Sequence, residues 1–277
     1  MNTGDPASSP EPVVRARGLS MTYGRGHRAV PALRGVDFDV LPGATLGLLG
    51  ANGSGKSTTI GLVLGLLAPV AGSLSVFGGP AGRRAARART GYVPEETRRF
   101  GTLTGREAVA FFAALQGVGP RAERRRRVEE ALTLVGLASR AWPKRVSTYS
   151  RGMARRLALA TAWVHRPDLL VLDEPTSGLD PLGKEEILAL LEPHRRAGGA
   201  TLLSTHDRVV AETACDHALV LAEGRLAAEG APRDLLAGDA VGAVAVVVAA
   251  VWIDRIGSVR IACGVGAGPA VAAAAVH

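Results

Sequence analysis

The chain has 277 residues, of which 47% are hydrophobic but only 4% aromatic, and a formal charge of +8 at neutral pH. That length holds one large domain, or one domain with an appendage, around a core of Leu, Val and Ala rather than rings. Three of the 33 basic residues are lysine (Lys56, Lys144, Lys184) and the rest arginine, an imbalance that, with abundant Ala and Gly, reads as GC-rich codon usage and weakens the case for a nucleic-acid or anionic-lipid partner.

Residues 1–12 lack the basic and apolar regions of a signal peptide and read as a disordered tail. Residues 13–17 suit a short strand, and Val36, Phe38 and Val40 alternate with Asp37 and Asp39 as in a half-buried one. An apolar strand over 44–49 runs into Gly50, and a helix is expected from Lys56 to about residue 67. From about 97 to 164 the pattern is helical. Thr104 and Glu107 form a capping box for a helix to about Gln116, and Pro120 opens a second with Val128, Ala131, Leu132 and Val135 on one face. Ser150 opens a third, with Leu157, Ala160, Thr161 and Val164 inward. Residues 169–172 form a continuous apolar run, as in a strand buried on both faces. A helix should follow Asp180-Pro181, with Ile187, Leu190, Leu191 and His194 aligned, and then a strand over 201–204. A hairpin is signalled by Glu223-Gly224. The apolar run over 240–253 is 14 residues, short of the roughly 17–25 that a spanning helix needs. Cys215 and Cys263 stand far apart in no metal or redox spacing, as suits a reducing compartment.

Two features carry chemistry. Gly50-Ala51-Asn52-Gly53-Ser54-Gly55-Lys56-Ser57 fits the phosphate-loop pattern between strand and helix. Its glycines let successive N–H groups curl toward a phosphate, and the helix start adds its dipole. Lys56 supplies a point charge for the β- and γ-phosphates of ATP, and the Ser57 hydroxyl is a ligand for Mg²⁺. The second feature is Asp173-Glu174, two carboxylates at the end of an apolar strand. Asp173 is placed to hold Mg²⁺, directly or through water, and Glu174 to polarise an attacking water.

Taken in order, Tyr23, the loop 50–58, Tyr149-Ser150-Arg151-Gly152-Met153, Asp173-Glu174, Ser177-Gly178-Leu179-Asp180 and His206 resemble the nucleotide-binding subunit of ABC transporters, over about residues 13–236. The resemblance implies an α/β fold: a P-loop NTPase core with an N-terminal antiparallel β-subdomain and an inserted α-helical subdomain at about 97–164. Residues 237–277 would form an appendage of unknown role.

The resemblance also implies roles. Tyr23 would stack on adenine, with Gly50, Asn52, Gly53, Ser54, Gly55, Lys56, Ser57 and Thr58 around the phosphates. Ser150 and Gly152 would bind the γ-phosphate of ATP held by a second ATPase subunit, most simply a second copy, and Asp180 would sit at that interface. His206 would contact the γ-phosphate and orient the water, and Glu174, His206 and Lys56 would be the catalytic set. ATP and Mg²⁺ are the implied cofactors. The implied partner is a separately encoded membrane permease, with the chain peripheral on the cytoplasmic face and docking it near residues 95–104.

Two departures stand out. Glu95 occupies the place where the family usually has Gln; a carboxylate can still ligate Mg²⁺, but it adds negative charge near the γ-phosphate. Arg151 and Met153 replace the common Gly and Gln of the signature, a variant similar to subunits of drug and antibiotic exporters. An importer subunit and a non-transport ABC ATPase remain as alternatives. The arginines at 83, 84, 87, 89 and 124–127 read as solvated helix faces without interleaved aromatics, so no nucleic acid is expected.

Overall fold

A computed structural model describes residues 10–96 and 101–236. Most of the expected tail, the first residues of the expected helical stretch, the 240–253 run, Cys263 and the whole 237–277 appendage lie outside the described residues.

Two sheets organise the chain. Strands β1 (Val14–Tyr23), β2 (Val30–Val40), β4 (Ala71–Val76) and β5 (Gly79–Pro80) form an antiparallel sheet in the order β2-β1-β4-β5. Val36, Phe38 and Val40 of β2 point inward, while Asp39 faces out to pair with Arg17. The second sheet runs β10-β9-β3-β8-β7-β6. It contains β3 (Thr45–Leu49), β6 (Thr90–Val93), β7 (Leu169–Asp173), β8 (Ala200–Thr205), β9 (His217–Ala222) and β10 (Arg225–Gly230). All its pairings are parallel except β9 with β10. Every residue of β3, β7 and β8 is buried; β3 and β7 are accordingly almost wholly apolar, while β8 also buries Thr201, Ser204 and Thr205. The β9–β10 turn places Glu223 and Gly224 at φ 48° and 76°, the left-handed pair that a two-residue hairpin of this twist needs.

One hydrophobic cluster joins the antiparallel sheet to one face of the parallel sheet, through Leu19, Leu33, Leu48, Ile60, Leu169 and Leu202. A second joins the other face to helices α3 (Gly105–Leu115), α4 (Arg121–Leu134) and α5 (Arg151–Trp163). Each fully buried Leu or Ile removes enough apolar surface to contribute about 1.5–3 kcal/mol. The capping box of α3 is present, with Thr104 and Glu107 exchanging side-chain and backbone bonds. Val128, Ala131, Leu132 and Val135 are buried as their spacing requires.

Several bounds differ from the sequence expectation. The strand expected over 13–17 continues to Tyr23, and helix α1 (Lys56–Val63) stops short of residue 67, before Gly65 at φ 66°. The helix expected after Asp180 divides into α6 (Pro181–Ala189) and α7 (Leu191–Arg196). Pro193 explains the break, since it has no N–H for the Ala189 carbonyl and its ring crowds that group. Strands β4 and β6 and the short helix α2 (Arg84–Ala88) were not expected. Helices α8 (Arg208–Ala214) and α9 (Pro232–Leu236) complete the described fold. Among the described residues no helix is long and apolar enough to cross a membrane.

The parallel register gathers the site. Leu49 pairs with Thr205 and Asp173 with Ser204. The residues that follow β3, β7 and β8 therefore leave the sheet along one edge, the carboxyl edge where open α/β sheets bind ligands.

Candidate functional site

The loop after β3 is shaped by glycines at positive φ. At Gly50 (φ 152°) an added Cβ would lie 2.4 Å from both the Leu221 carbonyl oxygen and Ser54 Oγ. At Gly55 (φ 114°) it would lie 2.8 Å from the Ala32 carbonyl oxygen. No larger residue fits either place. Lys56, the first residue of α1, is 7% exposed, and its Nζ donates to the carbonyls of Gly50 (2.7 Å) and Ala51 (3.0 Å). Burial pushes its ammonium below the usual lysine range, against the pull of Glu174, Asp173 and Glu95. The buried Ser54 hydroxyl has no hydrogen-bond partner among the described residues. Asn52, Gly53 and Ser57 are exposed at the loop surface, and Thr58 is half-buried. Tyr23, at the end of β1, reaches over this helix start, with its hydroxyl 3.3 Å from Thr58 Oγ1. A glycine-shaped cradle, a buried ammonium and an orphaned buried hydroxyl fit a polyphosphate.

The acid pair sits at the end of β7. Asp173 and Glu174 are each 7% exposed. Ser204 on the neighbouring strand holds both: its hydroxyl donates to Asp173 Oδ1 (2.5 Å) and accepts from the Glu174 N–H (3.0 Å). Glu174 has φ 46°, left-handed backbone that costs an ordinary residue about 1–2 kcal/mol. Its carboxylate meets His206 Nδ1 at 2.9 Å. Burial raises the Glu174 pKa, while the His206 bond and the Lys56 charge oppose the rise. A buried carboxylate of raised pKa beside an imidazole is suited to accept or orient a proton.

Glu95 follows β6 and is exposed, yet its charge acts on Lys56, Arg155 and Glu174. Its backbone is held by Arg155 of α5, 5% exposed, which donates from its two terminal nitrogens to Pro94 O (2.9 Å) and Glu95 O (2.8 Å). Burial lowers the Arg155 pKa, and the carboxylates of Glu95, Glu174 and Asp173 oppose this.

Ser150 and Asp180 form a separate group. Ser150 caps α5, its hydroxyl accepting from the Met153 N–H at 3.3 Å. Asp180 caps α6 through the Gly183 N–H at 2.8 Å. The two turns adjoin, since a Cβ on Gly152 would lie 3.8 Å from the Leu179 side chain. Among the described residues no hydrogen bond or ion pair joins this group to the phosphate loop. Sequence reasoning missed Ser204, Arg155 and the ion pair between Lys184 and Asp207, which ties α6 to the residue after His206. The signal for Arg155, a charge within a buried helix stretch, was masked by the arginine-rich background. Burial pushes the Cys215 thiol up to about 12, away from the thiolate form.

A cleft of about 430 Å³ opens between β6 and the helices, lined by Tyr92, Pro94, Phe112, Leu157, Thr161 and His165 among others.

The family profile described as ABC transporter matches residues 33–177. The Nod factor export ATP-binding protein I of Paraburkholderia xenovorans (strain LB400) is 40% identical over 232 residues, 83% of this chain and 74% of that protein. The linearmycin resistance ATP-binding protein LnrL of Bacillus subtilis (strain 168) is 34% identical over 234 residues, 83% of this chain and 73% of its own. Among solved structures, the dimeric post-hydrolysis state of the ATP-binding cassette MJ0796 bound to ADP and Pi has a TM-score of 0.73 at 26% identity, covering 79% of this chain and 99% of that one. CbiO1 from Clostridium perfringens, part of the ABC transporter complex cbiONQ, has a TM-score of 0.72 at 30% identity, covering 82% and 91%. Sequence relatives and structural neighbours thus agree with the chemistry of the sheet edge: the chain belongs to the ABC transporter family, as an ATP-binding subunit that hydrolyses ATP.

Proposed function

We propose that this chain powers the export of a drug, antibiotic or other hydrophobic compound through a separately encoded permease. In this reading it acts at the cytoplasmic face of the membrane, and residues 13–236 are the ATPase unit. The observation that carries the two-subunit part is the division of the site. Lys56, Asp173, Glu174 and His206 share one sheet edge, whereas Ser150, Gly152 and Asp180 lie together elsewhere on the chain. The exposed helix start at Ser150 suits the phosphate of a nucleotide held by a second copy, with Asp180 beside it at the interface between the two. Tyr23 stacks on the adenine, the loop from Gly50 to Thr58 wraps the phosphates, and Lys56 neutralises them.

Ser57, Asp173 and Glu95 are oxygen donors, the type that Mg²⁺ takes together with substrate phosphates. Once bound, the ion would offset charge on the transferring phosphoryl group. Glu174 receives the proton of the attacking water, and His206 holds Glu174 in place and faces the γ-phosphate. The names of the two sequence relatives, one concerned with export and one with resistance, support the outward direction. The apolar cleft beside Glu95 supports a docked permease segment, as does MJ0796 for pairing.

The test is Glu174→Gln, which should still bind ATP, hydrolyse it at least about tenfold more slowly and accumulate as a dimer in gel filtration with ATP. Unchanged turnover would remove Glu174 from its role. Export is tested by efflux of a panel of hydrophobic antibiotics from cells producing the chain with its permease; uptake of a solute instead would favour the importer reading.

A further inference from the structure

Helix α5 is fastened to the β6–Glu95 segment along its length. Near its start Arg155 forks onto two successive carbonyls, Pro94 O and Glu95 O. Near its end Gly91 lets the backbones approach, since a Cβ there would lie 2.3 Å from Ala162 O. Just beyond, His165 Nε2 meets Thr90 O at 3.2 Å. The middle of the helix supplies Leu157 and Thr161 to the cleft that also contains Tyr92 and Pro94. Arg155 is thus a nearly fully buried cation whose two terminal nitrogens both donate to the backbone of the Glu95 loop. A planar guanidinium holds two parallel N–H groups in a fixed fork that matches two adjacent carbonyls, whereas an ammonium directs its donors from a single point on a flexible stem.

We propose that Arg155 is a positioning residue that makes the Ser150 helix and the Glu95 loop one rigid lever, so that neither can move without the other. The inference rests on the reading given above, in which Glu95 faces the chain's own nucleotide and Ser150 that of its partner. The lever then brings both groups to their two nucleotides together, and a segment pressed into the cleft between them would shift both at once. Without the fork, α5 keeps its cap and its apolar packing, but the Glu95 loop is free to exchange and to lag behind. Substrate binding through the Gly50–Lys56 loop does not involve Arg155, so nucleotide affinity is spared and turnover is not.

The experiment compares Arg155→Met, which has similar length and no donor, with Arg155→Lys and the parent chain. Amide exchange of residues 90–96 should speed up about tenfold in the methionine variant. Turnover should fall about tenfold or more, as for a misplaced positioning group, with the dissociation constant of a fluorescent ATP analogue within about twofold. The lysine variant should fall between the two in both exchange and turnover. Parent-like exchange, or parent-like turnover with fast exchange, overturns the lever. A loss of nucleotide affinity in parallel with turnover also overturns it, as a general structural role. If the methionine variant does not fold, the lysine variant decides, and parent behaviour there counts against the proposal. Glu174→Gln is run alongside: if it turns over normally, the site reading has failed, and the exchange arm still judges Arg155 alone.

Discussion

Glu174 combines a left-handed backbone, burial and an imidazole partner, and these have a consequence for pH. Its carboxyl is raised by burial, and the His206 bond offsets only part of that rise. The base must be ionised to accept a proton, so turnover should fall as pH drops through a value above the ordinary glutamate range. A pH–rate profile with its acid limb in the ordinary range would contradict this. Lys56 is the complementary case: a buried ammonium already bonded to two loop carbonyls. Lys56→Ala removes charge-assisted bonds of about 1.5–3 kcal/mol, roughly ten- to hundredfold in ATP affinity, measurable by titration with a fluorescent analogue. At Glu95 the buried fork of Arg155 holds the backbone, not the carboxylate. Glu95→Gln therefore keeps the loop in place while removing negative charge near the γ-phosphate, and ATPase activity should stay intact or rise; a total loss would show that the carboxylate is required. The motif residues Lys56, Asp173 and Glu174 were legible because short-range spacing defines them. Ser204 and Arg155 were not, because each acts across a gap of 30 to 61 residues that only the parallel register and helix packing close.

At the scale of elements, the ends of helices carry the function, and caps hold those ends. Thr104 caps α3 with a reciprocal bond to Glu107, so Thr104→Ala should cost about 1 kcal/mol, read as a lower denaturation midpoint with unchanged ATP affinity. Asp207 caps α8 through Val209 and Val210 and also takes the ammonium of Lys184 from α6. Burial pushes its carboxyl up, but Lys184 and the two N–H groups outweigh this and hold it below the usual range. The pair is partly exposed, so its removal in Lys184→Met should cost no more than about 1 kcal/mol. The capping box, the α4 face and the buried β3 and β7 strands were readable because local chemistry and tertiary need coincide there. Strand β4 was not, since its sequence AGSLSV alternates only over Ser73-Leu74-Ser75-Val76, too short a run beside Ala71-Gly72 to stand out from a turn. Nor was β6, which spans only four residues and is held as a strand by β7. The α6–α7 break was available in principle from Pro193, but the aligned apolar positions across it concealed the interruption.

At the scale of the whole molecule, two histidines outside the hydrolytic cluster tie stability to pH. His165 and His194 flank the amino-terminal end of β7, where His165 meets Thr90 O and His194 Nε2 meets Ala200 O at 3.1 Å, beside Trp163. Burial lowers both pKa values, with the carbonyl bonds and Asp168 opposing. The folded state therefore keeps both rings neutral at a pH where the unfolded chain has already protonated them. A base with a depressed folded pKa contributes full stability above its unfolded value, near 6.5, and loses it as pH falls from there toward the folded value. The slope in that window is at most about 1.4 kcal/mol per pH unit for each histidine. These two histidines place a pH-sensitive contribution at the sheet-to-helix junction that positions α5, and with it Ser150 and Arg155. Thermal unfolding between about pH 7.5 and 5 should show the melting temperature falling, and falling less steeply in His194→Gln, which can still donate to Ala200 O without titrating. Equal slopes in the variant and the parent would show that His194 does not govern acid stability.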